Sequence, residues 1–247
     1  MRLIDAHTHI RKGQEGQAVA FAKKGLWQLV CASNPNECKF VDELGRADRH
    51  IIPTYGLHPW YVQDFKLDSM DQWLHEAMII GEIGLDGLWA PTPIEAQVDT
   101  FIYQLQMAVK LEKWVILHTK SAEGLILDYL REETPPGIII HWYSGDDKYL
   151  EGFIELGCYF TLGPDIGTNP NTQNVCKKIP MDRILTETDG IDAVNWAFGG
   201  GCTFEDIPHV LESSLVHGAS IRGVPVDKMK DRVYNNFMRI LKEIIRG

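Results

Sequence analysis

The chain has 247 residues, 45% of them hydrophobic, with a formal net charge of −10 and a pI near 5.3. That length suits one domain spanning residues 1–247, since α/β barrels of about 250 residues are single domains, and the acidic balance opposes tight nonspecific binding to a nucleic-acid backbone. No apolar run approaches the roughly 20 residues of a membrane span, the start MRLIDAHTHI lacks the apolar core of a signal peptide, and the five scattered cysteines contain no CxxC pair, so a cytoplasmic protein without a disulfide framework is expected.

In chain order, short β-branched runs alternate with longer helical patterns. The runs are RLID (2–5), WQLVCA (27–32), HIIPTYG (50–56), MIIGEIG (78–84), WVILH (114–118), GIIIHW (137–142), CYFTLG (158–163) and RILTETD (183–189). Continuous apolar runs of this length read as strands buried on both faces, as in parallel sheets. The clearest helix is predicted over 92–113. Thr92 is its expected N-cap, Pro93 its first residue and Glu95 the partner in a capping box. Its expected apolar stripe is Ile94, Val98, Phe101, Ile102, Leu105 and Val109. The last helix, 226–245, carries Val226, Met229, Val233, Phe237, Ile240, Leu241 and Ile244 on one stripe, and its polar face mixes both signs of charge, which favours packing on a barrel over lying on a membrane. Eight strand–helix repeats predict a (β/α)8 TIM-type barrel. A doubly wound open sheet is the alternative, but no GxGxxG follows the first strand.

The polar residues fall in a pattern. Asp5, His7 and His9 share one face of the first strand, because alternate side chains point the same way. Asp5 is free either to orient a histidine or to accept from a backbone amide. Later strands lead to His58, Glu82, His118, His141 and Asp189, at or just beyond their C-terminal ends. Those ends converge on one mouth in a parallel barrel, where barrel enzymes keep their sites. His50, His75, His209 and His217 lie before a strand or within helices and read as surface or core residues, with His217 placed at a helix end before Gly218. Four histidines (7, 9, 118 and 141) with Glu82 and Asp189 are a metal-binding set. Six such ligands exceed the need of one tetrahedral ion, whereas a pair of ions bridged by Glu82 uses them all.

The ordered motifs IDAHTHI, GLHPW, IGEIGLD, HWYSG, LTETDG and NNFMRIL resemble those of the TatD family of metal-dependent hydrolases, within the amidohydrolase-like barrels, over essentially the whole chain. The resemblance implies a two-metal site. His7, His9 and Asp189 would hold one ion, His118 and His141 the other, with Glu82 between them. It also implies that His58 meets the scissile phosphate, and that the reaction is phosphodiester hydrolysis of the deoxyribonuclease type. Zinc is the first expectation for the two divalent ions, with magnesium or manganese as alternatives. This sequence departs from the family at three places around the mouth. His118-Thr119-Lys120 stands where H-x-R is common, which keeps a cation but loses the bidentate fork. Gly190-Ile191-Asp192 follows the acid where the family usually has a proline. Trp60 replaces a residue that is often polar. The Gly run within WAFGGG (196–201) reads as a mobile loop, with phosphate cradling the alternative although it matches no known spacing.

The leading expectation is a metal-dependent hydrolase in which Asp189 accepts the proton of the attacking water, with His58 and Lys120 stabilising the charge that develops. The substrate is a phosphodiester or small ester, and no stable nucleic-acid complex is expected. A lactone or amide hydrolase on the same site is the second reading, and a non-catalytic metal-binding barrel the third.

Overall fold

Each apolar run becomes a parallel strand, and the strands pair in sequence order. A computed structural model, which describes residues 2–246, places them as β1 (Leu3–Thr8), β2 (Leu26–Ala32), β3 (Ile51–Tyr55), β4 (Ile79–Asp86), β5 (Trp114–Lys120), β6 (Ile138–Ile140), β7 (Tyr159–Leu162) and β8 (Ile184–Thr186). All neighbours from β1 to β8 run parallel in one eight-stranded sheet. The helices are α1 (Glu15–Lys23), α2 (Pro35–Ala47), α3 (Asp71–Glu76), α4 (Ile94–Lys110), α5 (Glu123–Glu132), α6 (Asp147–Glu155), α7 (Pro170–Lys178), α8 (Gly190–Phe198), α9 (Ile207–Arg222) and α10 (Val226–Arg246). The result is a (β/α)8 barrel, not the open sheet. Strand residues are buried almost throughout, because one face meets the helices and the other fills the barrel.

The seam between β8 and β1 is bridged by groups outside any regular ladder. Thr186 Oγ1 donates to the Ile4 carbonyl at 2.7 Å, and the Asp189 amide donates to the His7 carbonyl at 3.0 Å. The Asp5 carboxylate accepts from the Thr188 amide at 2.8 Å and from its hydroxyl at 2.7 Å. Of the two roles open to Asp5, the structure shows the bond to a backbone amide. Burial pushes its carboxyl up to about 7, against those two hydrogen bonds.

Two predicted details are corrected. Helix α4 begins at Ile94 after Pro93, and Thr92 does not cap it; its hydroxyl donates instead to the Pro59 carbonyl at 2.9 Å. The buried face of α4 is also rotated from the expected stripe. Gln97 and Gln104 point inward with Phe101, Leu105 and Ala108, while Ile94, Val98, Ile102 and Val109 are only half-buried. Both glutamines are buried because they staple backbone. Gln104 accepts from the Leu57 amide at 2.7 Å and donates to its carbonyl at 3.0 Å. Gln97 accepts from the Asp86 amide at 2.8 Å and donates to the carbonyls of Asp86 and Thr92. His217 lies inside α9, which continues past Gly218 to Arg222. It is exposed, as are His75 and His209, and His50 is half-buried. Helix α10 buries Met229, Val233, Phe237, Ile240 and Leu241, with Val226 and Ile244 packed at the margin, as its stripe predicts. All five cysteines are free, and no helix among the described residues is long and apolar enough to cross a membrane.

Candidate metal centre

The C-terminal ends of the strands deliver polar side chains to one mouth. His7 lies in β1 and His9 just beyond it, Glu82 in β4 and His118 in β5. His58, His141 and Asp189 follow β3, β6 and β8. Two glycines permit the close approach this needs. A Cβ on Gly84 would lie 2.0 Å from the His118 carbonyl oxygen, and one on Gly190 would lie 2.7 Å from that of His9. Asp189 itself has φ 58° and occupies the position before α8, yet its side chain makes no capping bond. Its carboxylate is therefore turned to the barrel mouth.

The centre of the cluster is Glu82, whose two oxygens face different partners. Oε1 is 2.8 Å from His141 Nε2, 2.9 Å from His118 Nδ1 and 3.3 Å from His58 Nε2. Oε2 is 3.2 Å from His9 Nε2 and 3.4 Å from His7 Nε2. Asp189 Oδ1 completes the second set, 3.1 Å from His7 Nε2 and 3.5 Å from His9 Nε2. Every predicted residue except Lys120 thus meets at one point.

The outward nitrogens decide what the inward ones can do. His118 Nε2 faces the Asp86 carboxylate at 3.0 Å, and His9 Nδ1 faces the Cys31 carbonyl at 3.2 Å. A carbonyl or an ionised carboxylate only accepts, so those nitrogens carry the hydrogens and the inward nitrogens keep lone pairs. His141 Nδ1 faces Glu187 at 3.6 Å, and His7 Nδ1 lies 3.3 Å from Cys31 Sγ. His58 is the reverse case. Its Nδ1 accepts from the Trp60 amide at 3.2 Å, so in the neutral ring Nε2 is the donor. His118 and His9 therefore offer a lone pair to a cation, the Nε2 atoms of His7 and His141 face the same carboxylates, and His58 offers a hydrogen bond to a substrate.

The electrostatics separate the same groups. Burial lowers the His58 pKa and keeps it neutral. Burial also acts to lower His7, His9, His118 and His141, but neighbouring carboxylates outweigh it. His9 rises to about 9 through Glu82 and Asp189, and His141 to about 10 through Glu82 and Glu187. His118 rises through Asp86 and Glu82, and His7 rises well above its ordinary value through Cys31, Glu82 and Asp189. Burial raises Glu82 and Asp189, yet the facing imidazoles hold both below the usual carboxylate range. Without a cation, the carboxylates need protonated imidazoles to balance them. A metal cation would supply that positive charge instead, and imidazole nitrogens with carboxylates are the donor types such an ion takes.

Two supporting acids were not singled out from the sequence. Asp86 accepts from His118 and from Trp60 Nε1 (2.7 Å), and from the amides of Leu88 (2.8 Å) and Trp89 (2.7 Å). Glu187 is fully buried beside His141, with neither carboxylate oxygen hydrogen-bonded. Asp86 ends β4 and Glu187 follows β8 directly, and neither position differs in sequence from an ordinary acid at a strand end.

Above the centre lies a cavity of about 680 Å³ reaching to the rim. Lys120 lines this rim rather than the cluster. Its Nζ donates to Ser144 Oγ at 2.8 Å and sits 4.4 Å from the centre of the Trp89 ring, and burial lowers its pKa. The Gly199–Gly201 run, expected to be a mobile loop, leaves the end of α8 outside the cavity lining. Asn195 ties it back, accepting from the Cys202 amide at 2.8 Å and donating to its carbonyl at 3.0 Å.

Comparison with known proteins agrees with this arrangement. The sequence profile described as TatD related DNase matches residues 4–242. The chain is 26% identical to YcfH of Escherichia coli K12, described as an uncharacterised metal-dependent hydrolase, over 97% of this chain and 96% of that protein. It is 22% identical to human deoxyribonuclease TATDN3, over 98% and 95%. The crystal structure of YjjV, a TatD homologue from Escherichia coli K12, superposes with a TM-score of 0.83 at 27% identity, covering 95% of this chain and 96% of that one. A profile match across nearly the whole barrel, together with these relatives, places the chain in the TatD-related DNase family of metal-dependent hydrolases.

Proposed function

We propose that this metal-dependent hydrolase, acting as one domain, cleaves phosphodiesters with two divalent cations held at the barrel mouth. His7, His9 and Asp189 would hold one cation, His118 and His141 the other, and Glu82 would contact both. The observation that carries this reading is the division of Glu82, whose Oε1 and Oε2 each face a separate set of imidazoles. When bound, such a pair supplies Lewis acidity to the attacking water and to the oxygens of the displacement. Zinc suits the four nitrogen donors best, and elemental analysis of the purified protein tests that identity.

The protein's own groups supply the rest. Asp189 is ionised and its side chain is 23% exposed toward the mouth, so it can accept the proton of the attacking water. The water oxygen bonds to phosphorus and the bond to the leaving oxygen breaks. Neutral His58 presents Nε2–H to an oxygen on which negative charge grows. Lys120, farther out, holds a non-reacting phosphate oxygen. A carbonyl ester is the second reading, favoured by a rim that also carries Glu37, Glu123, Asp165 and Asp192.

Glu82→Gln removes one ionised oxygen from the shared ligand. It is expected to abolish phosphodiester turnover and to reduce the metal content of a protein that still folds. Normal turnover by this variant would refute the reading, and wild-type activity confined to lactones would favour the carbonyl ester.

A further inference from the structure

Three tryptophans meet over the cavity. Trp196, on α8, contacts Trp89 edge to face at 5.8 Å and Trp142 at 6.0 Å. They arrive from the segments after β8, β4 and β6, so the contact spans three separate crossovers. Trp142 is fixed as a wall, its Nε1 donating to Asp165 at 2.8 Å. Trp60 is fixed likewise by Asp86. Trp196 and Trp89 are the most uncovered of these rings, 66% and 48% exposed against 38% for Trp60. Exposed indole surface beside a reaction centre gains free energy when a flat ligand covers it.

The charges around these rings limit what that ligand can be. Lys120 lies on the face of Trp89, so an anionic group and a ring can be recognised side by side. Arg11, the other cation lining the cavity, is ion-paired to Asp192. Besides Glu82 and Asp189, four carboxylates line the same cavity, and the whole chain carries −10. A polyanion would need a track of cations along its backbone, whereas this rim serves one phosphate. The cavity of about 680 Å³ lies in the range of small-molecule sites.

Resting on the phosphodiester reading above, we propose that the substrate is a small phosphodiester bearing a planar aromatic group. Its ring packs on Trp196 and Trp89, and its phosphate lies between Lys120 and His58. Trp196 is then the residue that sets specificity.

Two comparisons on the metal-loaded protein test this. Intrinsic tryptophan fluorescence, titrated with a nucleoside 5′-monophosphate and with ribose 5-phosphate, is expected to show at least tenfold tighter binding of the aromatic ligand. Trp196→Ala should erase that preference, Trp196→Phe should retain most of it, and Phe198→Ala, on the same helix but outside the cavity, should leave it intact. Turnover of a dinucleotide is expected to exceed that of a single-stranded 20-mer at least tenfold in kcat/KM per end. Equal binding of the two phosphates, or equal turnover of the polymer, overturns the proposal. If no diester is hydrolysed, the phosphodiester reading fails, and the binding comparison still decides the aromatic preference.

Discussion

A histidine's role in this barrel is set by the atom behind it. His118 and His58 both approach Glu82 Oε1, at 2.9 and 3.3 Å, yet they present opposite chemistry to it. His118 has the Asp86 carboxylate behind it and His58 has a backbone amide. Asp86 is therefore expected to matter as much for metal as a direct ligand does. Its carboxyl is raised by burial but held far below its ordinary value by His118, the Trp89 amide and Trp60, so it remains the charged acceptor. On the proposed two-cation reading, Asp86→Asn should weaken the ion held by His118 by about 10–100-fold while leaving the one held by His7 in place. Metal titration followed by calorimetry would show one tight and one weak site, and two unchanged sites would contradict the tautomer argument. Asp86 and Glu187 escaped sequence reading because they act through another residue. Nothing in their own neighbourhood distinguishes them from loop acids until His118 and His141 are seen against them.

At the level of elements, the strands were legible because a parallel strand is apolar on both faces and reads as an unbroken run. Their ends were less so. β1 and β4 run on through Thr8 and Asp86, since the polar residues there are buried by one another rather than by apolar neighbours. Helix α4 misled for a related reason. Gln97 and Gln104, seven residues apart and outside the expected apolar stripe, are both buried and hold the segments leading to Asp86 and His58. Gln104→Leu keeps the volume and strands both polar groups of Leu57. At about 1–3 kcal/mol for each unsatisfied buried group, urea unfolding should show a loss of roughly 2–6 kcal/mol. The same variant should lose kcat beyond what its folded fraction explains, because His58 follows Leu57 directly. A stability change below about 0.5 kcal/mol would mean that Leu57 finds other partners. The sequence could not show this staple, because its two ends are 47 residues apart.

On the scale of the whole molecule, the barrel gathers five imidazoles and two carboxylates into a space that is stable only with compensating charge. Cation binding to the folded state alone should therefore raise its stability. A free ion concentration a hundredfold above its dissociation constant contributes about 2.7 kcal/mol, or roughly 5–10 °C in Tm for a chain of this size. Chelation should reverse that rise and return on adding back metal should restore it, both visible in a thermal melt; a Tm indifferent to chelator would argue against a loaded centre. The seam sharpens the point. His7 and His9 come from the first strand, and Asp189 arrives just after the eighth, fastened there by Asp5, Thr188 and the His7 carbonyl. One half of the centre is thus written at the two extremes of the barrel's strand order. A polypeptide still emerging from the ribosome holds the early histidines long before the late acid exists. On the proposed reading hydrolysis needs that acid, so a chain whose synthesis has not passed the last strand would lack the activity.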